Sequence, residues 1–543
     1  MLTLIRNGRV IDPSRQLDAT GDVWIDGERI IAPATRAPDQ VLDASGKIVM
    51  AGGIDIHSHI AGANVNTARL LLPEAHRSHL ARPAHTPLST AGWSTFETGC
   101  LYATMGFSLV VEPAVAPHQA LHAHLELNDI PVIDKATLSV LGNDDFLLAM
   151  LRAKDSTAAV RDYVAATLAA SKGLGVKVIN AGAAAAFKYN VRGFSLDDIV
   201  PHYGVSSRAI VEALQQAVID LGVPHPLHVH ANNLGLPGNV ETALATIAAA
   251  RGLPMHLAHV QFYAYGNEGA KGFSSAAALL AQAINANPNV TVDIGQVMFQ
   301  PTVTVSSDVL RQYNGMASAK PKKSVIFDGD SNGGGVVPFT YSAANFHNAV
   351  QWACGLELFL GVKNPGQVFF TTDHPNGAPF TAYPDLFALL MSRDLRAEWM
   401  AKLPKAAMDV TGLAAMTREY SLNEIAAMTR AGPARLLGLP GRGHLAPGAL
   451  ADVAVYHDLP DRAAMFRNAH LLVKNGDVVV RDGKVTHYRF GRALTLKPAY
   501  DKAMDRRLET HYQSLYGLSH RRFAVEAGAI SRPDAFAEVA CRN

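Results

Sequence analysis

Gly53-Ile54-Asp55-Ile56-His57-Ser58-His59 is a short apolar run that ends in two histidines one residue apart. Side chains alternate faces along a strand, so His57 and His59 project to the same side. If this strand belongs to a barrel and these are its carboxyl-terminal residues, both imidazoles point into the mouth. Two neutral imidazoles presented together form half of a zinc site. An isolated His-x-His is better explained by two ordinary half-buried histidines. The rest of the chain supplies the missing ligands.

Around this run the middle of the chain alternates strands and helices. Ser206 caps a predicted helix whose apolar positions Ile210, Val211, Leu214, Val218 and Leu221 follow helical spacing, with Gly222 as the stop. Pro224 and Pro226 precede the strand Leu227-His228-Val229-His230. An alanine-rich helix near residues 240–250 follows, then the strand Met255-His256-Leu257-Ala258-His259-Val260. Repeated β-then-α units point to a parallel sheet, and a TIM-like (β/α)8 barrel fits the length. Active-site residues of such barrels lie at the carboxyl ends of strands, where these histidines fall.

The ends of the chain read differently. Leu2–Ile5 and Arg9–Ile11 flank Asn7-Gly8, and Val23–Ile25 and Arg29–Ile31 flank Asp26-Gly27. Near the other end Leu472-Val473-Lys474 and Asp477–Val480 flank Asn475-Gly476. Asn-Gly and Asp-Gly between apolar runs predict hairpins. Strands at both termini predict one small β-sandwich domain assembled from both ends. The expected division is 1–52 and 437–495 for the sandwich, 53–436 for the barrel and 496–543 for a helical tail. A polar insertion at 300–344, with Lys320, Lys322, Lys323 and Gly333-Gly334-Gly335, exceeds what a bare barrel needs; a lid, a partner surface or a mobile loop is its expected role.

Composition narrows the function classes. The 543 residues are 48% hydrophobic and 17% charged, with 48 basic against 47 acidic side chains and a net charge of +1. No global basic excess argues for nucleic acid or a membrane surface. Residues 1–8 lack a basic segment followed by a long apolar one, so no signal peptide is expected. No apolar run reaches spanning length. Cys100, Cys354 and Cys541 are scattered singly and cannot build a disulfide framework or a four-cysteine cluster. A reducing, cytoplasmic location follows, and any redox chemistry would sit on a partner.

Four further residues complete the histidine pair. Lys177, in Gly175-Val176-Lys177-Val178-Ile179-Asn180, is costly as a free cation on a buried strand. Carbamylated by carbon dioxide it becomes an anionic oxygen ligand able to bridge two metals; alone, it would read as a snorkelling lysine. His230 and His259 end their strands, with His228 and His256 as packing neighbours. Asp373 ends the apolar run Phe369-Phe370-Thr371-Thr372 and can bind a metal and shuttle a proton, or cap a turn before Pro375.

His-x-His, Lys, His, His and Asp in this order resemble the binuclear subtype of the amidohydrolase superfamily. Its β-sandwich and closing strand are matched by the terminal strands and by Pro447-Gly448-Ala449-Leu450-Ala451-Asp452-Val453-Ala454-Val455. Narrower likeness lies in Gly53–Asn66, Tyr102–Gly106 with Glu112-Pro113-Ala114, His230–Asn239, Gln261–Gly266, Gln351–Glu357 and Thr371–Tyr383. These are similar to the A components of formylmethanofuran dehydrogenases and of the bacterial formyltransferase/hydrolase complexes, over all but the carboxy-terminal tail.

The resemblance implies hydrolysis of an N-formyl group on a furfurylamine-type one-carbon carrier (methanofuran or a relative), within an assembly with B, C and D subunits. It implies two zinc ions: one on His57, His59 and Asp373, the other on His230 and His259, with carbamylated Lys177 between. Manganese and iron accept the same ligands. Asp373 is the implied proton carrier, and Asn180, Asn232, Asn233, Gln261 and Tyr265 are candidate substrate contacts. The alternatives are a cyclic-amide hydrolase of the dihydropyrimidinase kind, the A component of a tungsten or molybdenum dehydrogenase, and a metal-free scaffold. Metal-binding side chains retained at every position argue against the last.

Overall fold

The computed structural model describes residues 1–71, 95–187, 189, 191, 194–305 and 336–542. Eight parallel strands follow one another round a barrel: β1 (Gly53–Asp55), β2 (Phe107–Val115), β3 (Asp134–Leu141), β4 (Gly175–Ile179), β5 (Leu227–His230), β6 (Met255–Leu257), β7 (Val290–Asp293) and β8 (Val368–Phe369). Each pairs in parallel with the next. Just beyond β1 and β8, a parallel bridge between Ser58 and His374 closes the ring, and the His59 amide donates to the His374 carbonyl at 2.8 Å. This is the (β/α)8 barrel that the alternating pattern implies. The strands are buried on both faces, which explains why they read as continuous apolar runs and not as alternation.

Local chemistry sets the helices between strands. Ser206 accepts from the Ala209 amide at 3.1 Å and starts the helix Ser207–Asp220; Gly222, at φ +62°, lies just past its end. Ser156 starts Thr157–Ser171 in the same way.

Strands from both termini form one nine-stranded sheet around its own apolar core of Ile5, Val10, Ile25, Val49, Val453 and Val473. The seam is antiparallel pairing of Lys47–Ala51 with Val453–His457. Asn475-Gly476 and Gly27-Glu28 turn two-residue hairpins, with Lys474 opposite Asp477 and Asp26 opposite Arg29. Asn7-Gly8 does not. Leu2–Asp12 is a single strand, and the pair sits at a bulge where the register against Leu17–Asp26 shifts between Ile5 and Gly8. Asn7 takes φ +62°, and a Cβ on Gly8 would run into Val49. The dipeptide serves close strand approach here, a use that the hairpin rule does not distinguish. At the junction with the barrel, buried Lys474 and partly buried Arg442 lie between Asp134 and Asp452, with contacts of 2.8 Å and 3.0 Å from the Lys474 amine.

The carboxy-terminal segment holds the helix Ala503–Tyr516 and also a strand, Phe536–Glu538. That strand pairs with Ala493–Thr495, which extends the barrel sheet from β3. The polar insertion begins and ends as an antiparallel pair, Pro301–Thr304 with Val337–Thr340. Its central part, with Lys320, Lys322, Lys323 and Gly333–Gly335, lies outside the described residues. Among the described residues no helix is long and apolar enough to cross a membrane.

Candidate active site

At the carboxyl end of the barrel three side chains converge on one point. Asp373 Oδ1 lies 3.1 Å from His57 Nε2 and 3.4 Å from His59 Nε2. The Lys177 amine is 3.3 Å from His57 Nε2. His259 stands beside them, its ring 5.2 Å from that of His57. The rings of His230 and His259 are 4.5 Å apart and edge-on. All six side chains are thus gathered at the mouth, carried by β4, β5 and the segments after β1, β6 and β8.

The strands stop early to place them. β6 ends at Leu257, short of the strand read through Val260, and His259 turns at φ +34°. Asp373 likewise sits at φ +51°, with its amide donating to Thr371 Oγ1 at 2.7 Å. Such backbone conformations are costly for residues other than glycine and persist only where the surrounding structure holds them.

Two carboxylates outside the sequence-derived set hold the histidines from behind. Asp293, at the end of β7, meets His57 Nδ1 at 2.9 Å and His256 Nε2 at 3.0 Å, and accepts from the His259 amide at 2.5 Å. Glu112, in β2, meets His59 Nδ1 at 3.0 Å and accepts from the amides of Ile60, Ala61 and Ala114. A carboxylate on the far nitrogen fixes ring orientation and makes the near nitrogen a better ligand. Each ends or interrupts an apolar strand, as Asp373 does, but no local pattern ties either one to its histidine. His228 joins the same support, 3.1 Å from His57 Nδ1.

Burial and charge compete here. Burial drives His259 and His228 well below the ordinary imidazole range. Burial opposes the charged form of His59 too, but Glu112 and Asp373 outweigh it and raise His59 to about 9. Burial lowers the Lys177 amine to about 8 against the pull of Asp373, Asp293 and Glu112. Asp373 is lowered well below the usual carboxylate range: burial resists, and the surrounding imidazoles prevail.

Asp373 Oδ1 and His259 Nδ1 are buried without a hydrogen-bond partner among the described residues. Acceptor atoms crowded in a dry interior are unfavourable unless a cation lies among them. His57, His259 and Asp373 present ligand atoms all within 4.8 Å of one another. The donor set, imidazole nitrogen and carboxylate oxygen, suits a borderline divalent metal.

The candidate substrate contacts divide. Asn232 donates to Ser207 Oγ at 3.1 Å, leaving its Oδ1 buried with no partner; Gln261 donates to the Tyr265 hydroxyl, leaving its Oε1 in the same state among the described residues. Asn180 is buried beside β5, its amide donating to the His230 carbonyl at 3.1 Å. Asn233 is committed to its own loop, donating to Thr242 Oγ1 at 2.8 Å.

Known proteins share both the sequence and the fold. The amidohydrolase family model matches residues 40–487. The A component of the formyltransferase/hydrolase complex Fhc of Methylorubrum extorquens is 52% identical over the whole of both chains. Protein FwdA of Methanocaldococcus jannaschii is 39% identical over 90% of each chain. A crystal structure of the FhcABCD complex from Methylorubrum extorquens with methylofuran superposes over all of both chains with a TM-score of 0.95. Dihydropyrimidinase from Brevibacillus agri, 16% identical with a TM-score of 0.51 over 92% of this chain and 99% of its own, shares the fold.

Proposed function

The chain belongs to the amidohydrolase family, and we propose that it hydrolyses the N-formyl group of a methylofuran-type one-carbon carrier to formate and free amine. We infer that it acts as the A component of an assembly with B, C and D subunits, because its whole-length relative is a subunit of that kind. One observation carries the chemistry: Asp373 Oδ1 aimed, without a hydrogen bond, at the Nε2 atoms of both His57 and His59.

In this reading His57, His59 and Asp373 would hold one zinc ion and His230 and His259 another, with carbamylated Lys177 as a further oxygen ligand. The metals would supply polarisation of the formyl oxygen and an acidified water. The chain's residues do the rest. Asp373, ionised and buried, takes a proton from the attacking water and returns it to the departing amine nitrogen. Water and the formamide thereby become formate and the carrier's ammonium group, with no redox step. Asn232 Oδ1 and Gln261 Oε1, acceptors without a partner among the described residues, suit the N–H of a formamide, with Asn180 and Tyr265 as further candidate contacts. Lys177 is suited to carbamylation: it is buried beside His57, and an amine lowered to about 8 offers the neutral form that attacks carbon dioxide.

The test is formate release from formylated carrier by the assembly purified from native cells, with metal analysis and intact mass on the same sample. Two metals per chain, the added mass of one carbon dioxide on the Lys177 peptide and formate release are the expected results. Turnover of cyclic amides with none of the formyl carrier would overturn the substrate. An unmodified Lys177 beside two bound metals would overturn the bridge.

A further inference from the structure

Far from the barrel mouth, on the terminal sheet, a second set of ligand atoms comes together. His457 is the last residue of the strand Val453–His457. His470 immediately precedes Leu471–Lys474, and Asp482 lies in the turn between Asp477–Arg481 and Lys484–Val485. His470 Nδ1 is 2.7 Å from Asp482 Oδ1, and His457 Nε2 is 3.9 Å from the same oxygen. The two imidazole rings are 4.7 Å apart. One ligand atom from each of the three residues lies within 4.8 Å of the other two.

The backbone holds this arrangement in place. Val455 pairs with Leu471, and Leu471 with Arg481, so the three residues sit at the neighbouring ends of three adjacent strands in fixed register. The Asp482 amide donates to the His470 carbonyl at 2.8 Å, and the Gly483 amide to the Ala469 carbonyl at 2.9 Å. Beneath them Tyr456 is fully buried, its hydroxyl donating to the Met105 carbonyl at 2.8 Å. Ligands held at the strand ends of a packed sheet need little reorganisation, which lowers the entropic cost of gathering them.

We propose that His457, His470 and Asp482 form a third metal site, for a borderline divalent transition cation such as zinc. Two imidazole nitrogens and one carboxylate oxygen favour zinc, copper or nickel over magnesium or calcium, which require oxygen shells. The side chains of His457 and Asp482 are 51% and 72% exposed, so water completes the coordination and exchange with solution is direct. A simple histidine–aspartate hydrogen bond accounts for the 2.7 Å contact alone. It does not account for His457 Nε2 facing the same oxygen from the neighbouring strand. Binding asks one local change: the His470 proton moves from Nδ1 to Nε2, freeing the Nδ1 lone pair. No residue of the barrel centre takes part, so the two sites are separable by experiment.

The test uses the assembled protein, dialysed against zinc and then freed of loose metal, with metal counted per chain. Wild type should hold one more equivalent than His457→Ala/His470→Ala, and both should release formate at the same rate. Asp482→Asn should weaken the extra equivalent by about 10-fold or more. Zinc should raise the melting temperature of wild type more than that of the double variant, because a ligand of the folded state stabilises it. Equal zinc uptake by wild type and the double variant would overturn the site. So would equal retention of magnesium and zinc in wild type.

Discussion

The proposed reading gives Asp373 two roles, metal ligand and proton carrier, and its substitution separates them. Asp373→Asn keeps one ligand oxygen but removes the carboxylate that could carry a proton. Formate release should fall by about 10²–10⁴-fold, the range of general acid–base catalysis, while metal content stays near that of wild type. Unchanged turnover with full metal would assign the proton to another group. Glu112 makes the complementary case, since it stands behind His59 and not in the mouth. Glu112→Gln keeps the shape but removes the charge that faces His59 Nδ1 and three backbone amides. Metal affinity should drop by about 10–100-fold, read by chelator competition, with less effect on turnover once metal is restored. His57, His59, Lys177, His230, His259 and Asp373 are visible in the sequence because each ends or lies on an apolar strand and their order is distinctive. Asp293 is not, because its meaning lies in a contact with His57 across 236 positions of chain.

Between elements, the loop after β8 connects Asp373 to the insertion. Asn376 donates to Asp373 Oδ2 at 3.0 Å, and its Oδ1 accepts from the Val305 amide at 2.6 Å. Its carbonyl accepts from the Tyr341 hydroxyl at 3.2 Å, and Thr302 donates to the Pro375 carbonyl. The base of the insertion is therefore built onto the segment that carries Asp373. Asn376→Ala removes both side-chain bonds. A hydrogen bond to a charged group contributes about 1.5–3 kcal/mol, so formate release should fall by roughly 10-fold or more with metal retained. Loss of metal in that variant would instead make Asn376 part of the ligand scaffold. The terminal hairpins illustrate what is legible at this scale. Asn475-Gly476 and Asn7-Gly8 are the same dipeptide between apolar runs, yet one turns a hairpin and the other bulges a strand. The difference is Val49 from a third strand pressing on Gly8, which no local pattern contains.

For the whole molecule, a buried lysine away from the mouth makes stability depend on pH. Lys135, in β3, is fully enclosed and donates to the carbonyls of Ile130 and Gly491 at 3.0 Å and 3.2 Å. Burial lowers its amine from 10.5 to about 7, with Asp134 opposing. Between those values the unfolded chain binds the proton and the folded chain does not, so this group makes stability rise with pH. Below about 7 both states are protonated and its contribution is constant and least favourable. Lys135→Met should remove the trend: the stability difference between wild type and variant should change by up to about 1.4 kcal/mol per pH unit between about pH 7 and 10, as read by urea unfolding. Parallel curves would mean that the amine keeps its proton on folding.

The sequence alone determined the kinds of elements, the alternation of strand and helix, the sheet built from both ends and the residue types at the barrel mouth. The elements follow from short-range physics, since side-chain periodicity, caps and turn residues act within a few positions of chain; the shared sheet and the residue types follow from the resemblance those elements carry. Only the tertiary structure decided that Ser58 meets His374 to close the ring, that Asp293 supports both His57 and His259, and that the carboxy-terminal strand Phe536–Glu538 returns to the barrel sheet. It also brought His457, His470 and Asp482 to one place. Those contacts join residues on separate elements, most of them distant in the chain, and their free energy exists only once the intervening elements have packed and set the register between them.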